Sequence, residues 1–267
     1  MLRSLKDLER YTVRATDGDI GDVVTFLFDD QRWIIRYLVV QSGGQFFLDG
    51  RRVLISPISF RKVDWSARRF DVTLTMDKVR KSPGIDADEP VSRQHERDYY
   101  GYYGYPLYWE HSGIWGMGAY PGFLAADNWD ATSVQDVDRS GDVHLRSAKE
   151  VRGYHVQGSD DAIGHIDDLI IDDDTWNVRY LVVDTSNWWF GRKVLLSPHC
   201  ASRFSWEERK VHVDMSREAI KNSPEWTATT GVHREFEERL HDYYGRSMYW
   251  QGGQPRELPP AATHPVG

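Results

Sequence analysis

The strongest constraint on this chain is that it is written twice. Trp33 to Val40 reads WIIRYLVV and Trp176 to Val183 reads WNVRYLVV, 143 positions later. At that offset Leu2 to Val40 and Leu145 to Val183 share 17 of 39 residues, among them LRS, Ile20-Gly21 with Ile163-Gly164, and Asp29-Asp30 with Asp172-Asp173. After Val40 the offset drops to 141, because SGGQFFLDG in the first copy stands where the second has the shorter SNWWFG, and insertions of this kind belong in loops. GRRVLISP then matches GRKVLLSP, Trp65 matches Trp206, and Lys81-Ser82-Pro83 matches Asn222-Ser223-Pro224. Both copies end in an aromatic tail, DYYGYYGYPLYW from Asp98 to Trp109 and DYYGRSMYW from Asp242 to Trp250. A repeat of this length within 267 residues predicts two small domains.

Inside each copy the pattern is β-rich. IGDVVTFLF from Ile20 and IGHIDDLII from Ile163 each run into an Asp-rich turn and then the Val/Ile/Leu/Tyr-rich octapeptide, the sequence of a strand, a turn and a second strand. Asp29-Asp30 and Asp172-Asp173-Asp174 suit the turn because short carboxylates bond nearby backbone N–H groups. Arg52 to Ile55, Arg61 to Asp64 and Phe70 to Leu74 add short strands, which predicts a small closed barrel per copy. Ser56-Pro57 and Ser197-Pro198 read as chain reversals at strand ends. Val232, Phe236, Leu240 and Tyr243 or Tyr244 recur at helical spacing among charged residues, so an amphipathic helix follows the second barrel, with a weaker counterpart around Val91 to Tyr100. Ser112 to Val143, rich in Gly and Asp with scattered aromatics including Phe123 and Trp129, reads as a linker. The expected organisation is a first barrel over 1–84, helix, aromatic tail and linker over 85–143, a second barrel over 144–226, and a helix, aromatic tail and flexible end over 227–267.

Charge and composition exclude several classes of function. The formal charge of -8, from 33 Lys+Arg against 41 Asp+Glu, opposes the attraction to phosphate that drives nucleic-acid binding. Cys200 is the single cysteine, which excludes an intrachain disulfide, and MLRSLKDLER lacks the apolar run of a signal peptide, so a cytoplasmic protein is expected. Charged residues break every hydrophobic segment before it reaches the roughly 20 apolar residues of a membrane span, so no membrane insertion is expected.

Gly164, Asp168, Asp172 and Trp176, followed by VRYLVVDTSNWWFGRKVLLSP, resemble the PRC-barrel family, which includes the cytoplasmic domain of the photosynthetic reaction centre H subunit and a ribosome maturation factor. The first copy keeps Gly21, Asp29, Trp33, RYLVV, Gly50 and VLISP but lacks the DTSNWW loop. The resemblance covers roughly residues 2 to 84 and 145 to 225. It implies a mainly β chain of two tandem PRC-barrel-like units, each a docking or assembly module without catalysis.

Candidate chemistry is sparse. Asp167-Asp168 and Asp172-Asp173-Asp174 could gather a divalent cation, but they lack the alternating spacing, glycine and closing glutamate of a Ca²⁺ loop, so turn or solvated surface is the expected role. His233, Glu237 and His241 fall on one helical face at i, i+4 and i+8 without a fourth ligand, and an exposed helix face is expected over a zinc site. Cys200 follows His199 directly, and neighbours on a strand point to opposite faces, so Cys200 reads as a buried thiol and not a nucleophile. Arg36 and Arg179 interrupt apolar strands at matched positions and read as ion-paired or snorkelling side chains.

The aromatic tails carry the most functional information. Tyrosine and tryptophan bury large areas while keeping a polar end, which suits contacts between proteins. Each tail either closes an apolar opening of a barrel or faces a partner, and the candidate interface residues are Tyr99, Tyr100, Tyr102, Tyr103, Tyr105, Tyr108, Trp109, Tyr243, Tyr244, Tyr249 and Trp250. The sequence therefore predicts a non-enzymatic interaction, assembly or regulatory protein with no cofactor, no metal and no nucleic acid, and with a protein partner or a second copy in a homodimer. Two other readings stand beside it: a soluble relative of the H subunit that touches a membrane electron-transfer complex peripherally, and a metal-assisted accessory enzyme.

Overall fold

The structure is a computed structural model describing residues 1–43, 50–84, 91–109, 113–115, 118–121, 144–185, 192–227 and 231–251. Phe123, Trp129, most of the expected linker, the SNWWFG loop and the expected flexible end after residue 251 lie outside the described residues.

The chain divides into two compact units, and neither is contiguous in sequence. An N-terminal unit comprises Asp7–Ala148 with Asp174–Asn177, and a C-terminal unit comprises Met1–Lys6, Lys149–Asp173 and Val178–Gly267. Three short segments, Met1–Lys6, 144–148 and Asp174–Asn177, thus lie in the unit formed mainly by the other copy.

In the N-terminal unit, strands β2 (Thr12–Ala15), β3 (Gly18–Asp29), β4 (Ile34–Ser42), β5 (Arg52–Ile55), β6 (Phe60–Asp64) and β7 (Arg69–Val72) pair in the order β5-β4-β3-β2-β7-β6. The seventh strand, β8 (Leu145–Ser147), belongs by sequence to the second copy yet lies on β3. All pairings are antiparallel except β2 with β7. After the short helix α1 (Leu5–Leu8) and the strands, helices α2 (Met76–Arg80) and α3 (Arg93–Tyr103) follow, with α4 (Ala148–Val151) after β8; α2 and α3 are capped by the Thr75 and Ser92 hydroxyls, which accept from Lys78 and His95 N–H groups.

The C-terminal unit repeats this order strand for strand. Strands β9 (His155–Gln157), β10 (Ala162–Asp172), β11 (Val178–Asp184), β12 (Lys193–Leu196), β13 (Ala201–Ser205) and β14 (Lys210–Val213) pair as β12-β11-β10-β9-β14-β13, and β1 (Leu2–Ser4), from the first copy, lies on β10. Helices α5 (Arg217–Lys221) and α6 (Arg234–Tyr244) follow. Ile170, Tyr180, Val182, Leu195, Trp226 and Leu240 form one buried cluster, joined by Leu2, Val232, Phe236 and Tyr244, so the apolar stripe of α6 packs on the sheet as its spacing predicts.

Each unit forms one mixed seven-stranded sheet, which shows the expected mainly β fold; among the described residues the end strands β5 and β6 share no ladder. The chain turns between them through the 3₁₀ segment Pro57–Ser59, whose proline has no N–H to give a ladder and whose cap is the Ser56 hydroxyl. A side chain of α3 reaches the end of β5: the Tyr99 hydroxyl accepts from Ser56 N–H at 3.0 Å and donates to Leu54 C=O at 3.2 Å. In the C-terminal unit Pro198–Cys200 makes the same 3₁₀ turn, and Lys193 of β12 forms an isolated bridge with Trp226.

Two glycines let the long strands cross closely. A methyl group at Gly21 would sit 2.0 Å from the Gln41 carbonyl oxygen, and one at Gly164 would sit 2.0 Å from that of Asp184. At the far end of the first hairpin Asp29 Oδ1 accepts from Gln31 and Arg32 N–H groups, the turn chemistry expected of it, and the chain leaves through Trp33 with φ of 57°. Trp176 repeats that left-handed conformation at φ 62°, an uncommon one for a bulky residue, and packs on Phe60 and Phe70.

Candidate functional site

The octapeptide that defines the repeat is buried along β4, and its two polar side chains explain why. Arg36 is fully buried; its guanidinium donates to Ile114 C=O at 2.7 Å and to Asp29 Oδ2 at 3.4 Å, and lies 3.7 Å from the Tyr108 ring centroid. Burial alone would raise the Asp29 carboxyl, but the Arg36 charge and the backbone N–H groups of Arg32 and Gln31 outweigh it and hold the group below the usual carboxylate range.

Tyr37, next along β4, points to a glutamate that no spacing argument singled out. Glu96 of α3 is fully buried and accepts at Oε1 from Tyr37 at 3.0 Å and Tyr108 at 2.9 Å. Its Oε2 lies 3.2 Å from Arg93 and 2.9 Å from His144 Nε2. Arg93 also donates to the Tyr108 hydroxyl at 3.1 Å, and that hydroxyl is 3.1 Å from His144 Nε2. Burial, and then the Glu96 charge, push the Tyr37 and Tyr108 phenols far up, so both stay protonated donors.

The C-terminal unit builds the same cluster. Glu237 of α6 accepts at Oε1 from Tyr180 and Tyr249, each at 2.9 Å, and its Oε2 lies 3.3 Å from Arg234. Arg179 pairs with Asp172 at 3.0 Å and lies 3.9 Å from the Tyr249 ring centroid, as Arg36 does with Asp29 and Tyr108. The histidine differs in origin: His241, four residues after Glu237 on α6, brings Nε2 to 3.0 Å from the Tyr180 hydroxyl, where the N-terminal unit uses His144. Burial lowers the His241 pKa, an effect partly offset by the Glu237 charge.

These clusters settle where the sequence candidates lie. Glu237 and His241 are buried in tyrosine hydrogen bonds, not presented on an exposed face, while His233 stands at the N-cap of α6 without a side-chain capping bond. Asp167 is held by Lys6 and Lys193, Asp168 accepts from the Ser4 hydroxyl, and Asp173 pairs with Arg3. Cys200 is buried, and burial raises its thiol. Of the candidate interface residues, Tyr99, Tyr100, Tyr103 and Tyr108 are buried within the chain. Tyr105, Trp109, Tyr244, Tyr249 and Trp250 are half-buried. Tyr102 and Tyr243 are exposed, and they occupy the same place on α3 and α6, each donating to a backbone carbonyl, of Lys78 and Ala219.

The tails superpose differently from their spelling. DYY recurs 144 positions apart, yet α3 and α6, their glycine C-caps Gly104 and Gly245, and the Tyr-Trp ends all correspond at 141. At 141, Arg93 and Glu96 fall on Arg234 and Glu237, a signal that the DYY match conceals.

Among the described residues no helix is long and apolar enough to cross a membrane. No curated protein matches the chain. The family model described as the PRC-barrel domain matches residues 144–220, so the second copy is similar to that domain.

Proposed function

We propose that this chain is a non-enzymatic assembly or regulatory protein built from two PRC-barrel-like modules, the first copy being a diverged second instance of the domain matched in residues 144–220. The observation that carries the reading is the internal pairing of the ionisable groups. Glu96 engages two tyrosines, an arginine and a histidine of its own unit, and Glu237 engages two tyrosines and an arginine, so each cluster locks a helix and its tail onto a sheet with the carboxylate turned to internal partners. The surface that remains for a protein partner is the outer side of α3 and α6 around Tyr102 and Tyr243, with half-buried aromatics beside them.

The test is affinity capture from the native host with the wild-type chain and with Tyr102→Ser/Tyr243→Ser. Expected is a stoichiometric protein partner that the double variant loses while its melting is unchanged. Identical capture by both, or a stoichiometric tightly held metal ion in the purified chain, refutes the reading.

A further inference from the structure

Each sheet takes its seventh strand from the other copy, and the two borrowed strands are the same three letters, LRS. Their seats match in detail. On β10, Leu2, Arg3 and Ser4 stand opposite Asp172, Ile171 and Ile170; on β3, Leu145, Arg146 and Ser147 stand opposite Asp29, Phe28 and Leu27. Asp173 N–H donates to Met1 C=O at 2.9 Å, and Asp30 N–H donates to His144 C=O at 2.9 Å. Arg3 pairs with Asp173 at 2.7 Å, and Arg146 pairs with Asp30 at 3.0 Å. Ser4 donates to Asp168 on one edge, and Ser147 lies 3.2 Å from the Thr25 hydroxyl on the other.

We propose that these two edges are receptor sites for an LRS strand supplied by a second copy of this chain, so that two chains associate by exchanging strands. This deepens the self-association reading above by naming its seat, which is distinct from the helix surface around Tyr102 and Tyr243. A strand arriving from another molecule makes every contact that the resident strand makes, so association costs no interaction that the single chain enjoys. What favours the single chain is connectivity, equivalent to an effective concentration on the order of millimolar for a short tether. The resident strand is only three residues long, and Asp173 rewards its arginine with a charge-assisted bond whichever molecule supplies it. Extended pairing along an exposed edge is the general route by which sheets recruit a further chain.

The test uses full-length chains with Cys200→Ser, one carrying Ser4→Cys and the other Ile170→Cys, residues that face each other across β1 and β10. The two are mixed, unfolded in urea, refolded together near millimolar concentration, diluted and oxidised. Expected is a disulfide-linked heterodimer on a non-reducing gel, absent when the same mixture is refolded at a hundredfold lower concentration. No heterodimer, when a single chain carrying both cysteines does close internally, overturns the proposal. Should neither link form, light scattering of the wild-type chain after the same refolding decides. A dimer that Arg3→Asp abolishes supports strand exchange. Monomer only, or a dimer that Arg3→Asp leaves intact and Tyr102→Ser/Tyr243→Ser removes, overturns it while leaving the helix-surface reading in place.

Discussion

Replacing Glu96 tests whether the tyrosine–glutamate cluster holds the N-terminal unit together. The carboxylate has four partners, Tyr37, Tyr108, Arg93 and His144, and none of its surface reaches solvent. In Glu96→Leu the shape is roughly kept, but two hydroxyls, an imidazole and a guanidinium lose their shared acceptor. Breaking a buried charged pair by removing one partner costs about 3–5 kcal/mol. Glu96→Gln keeps an acceptor for some of the donors and forfeits mainly the charge assistance, about 1.5–3 kcal/mol. Tyr37→Phe is the mildest, because Glu96 retains three other donors, and its cost falls near the lower end of that range, about 1.5 kcal/mol. Urea titration followed by circular dichroism, with the midpoint and slope fitted separately, should place the three variants in that order. Desolvation of a buried carboxylate is itself expensive, and apolar replacement of buried ionic groups is neutral or stabilising in some proteins. If Glu96→Leu unfolds within about 0.5 kcal/mol of wild type, the cluster is not a fastener and the reasoning behind the proposed function loses its support.

Three further outcomes follow from the same geometry. Burial lowers the His241 pKa from 6.5, so the unfolded chain binds its proton first; stability is complete above pH 6.5 and falls as pH drops toward the folded pKa, by up to about 1.4 kcal/mol per pH unit. His241→Gln, whose amide N–H can still donate to the Tyr180 hydroxyl, should flatten that slope in chemical denaturation at pH 5 to 7, with a residual slope from His95 and His199, both also lowered by burial; an unchanged slope counts against the assignment. Gly164→Ala should cost at least about 1–3 kcal/mol, since its methyl meets a backbone oxygen that cannot rotate away, and a thermal melt matching wild type would contradict the close crossing. Tyr102→Phe and Tyr243→Phe each remove one exposed hydroxyl and should leave the melt within about 0.5 kcal/mol of wild type, which makes these sites suitable for partner-binding variants.

The elements were legible where local chemistry decides them. Alternation and β-branched residues gave the long hairpins, the Asp29 turn announced its own hydrogen bonds, and Val232, Phe236 and Leu240 placed α6 and its packing face. The contacts at the end of β5 are less local, because they depend on a side chain forty-odd residues away: the Tyr99 hydroxyl bonds Leu54 C=O and Ser56 N–H. Glu96 carries no spacing signal and Glu237 reads as part of an exposed helix face, because burying a carboxylate is unfavourable unless donors converge on it, and those donors come from β4, β11 and the tails. The exchanged strands were invisible for the opposite reason. Leu145-Arg146-Ser147 and Leu2-Arg3-Ser4 are identical, both edges offer an aspartate opposite the leucine and another to the arginine, and nothing local says which edge each strand takes.

That exchange also sets a timetable for synthesis. Ribosomes extend a chain at roughly 5–20 residues per second, and Leu2 pairs with Asp172, so the first strand waits on the order of 10 to 30 seconds for its seat to be translated. The β3 edge waits about two-thirds as long for Leu145. Throughout that interval a nascent molecule carries an unfilled sheet edge and an unplaced strand that fits the same edge on any neighbour emerging from the same message.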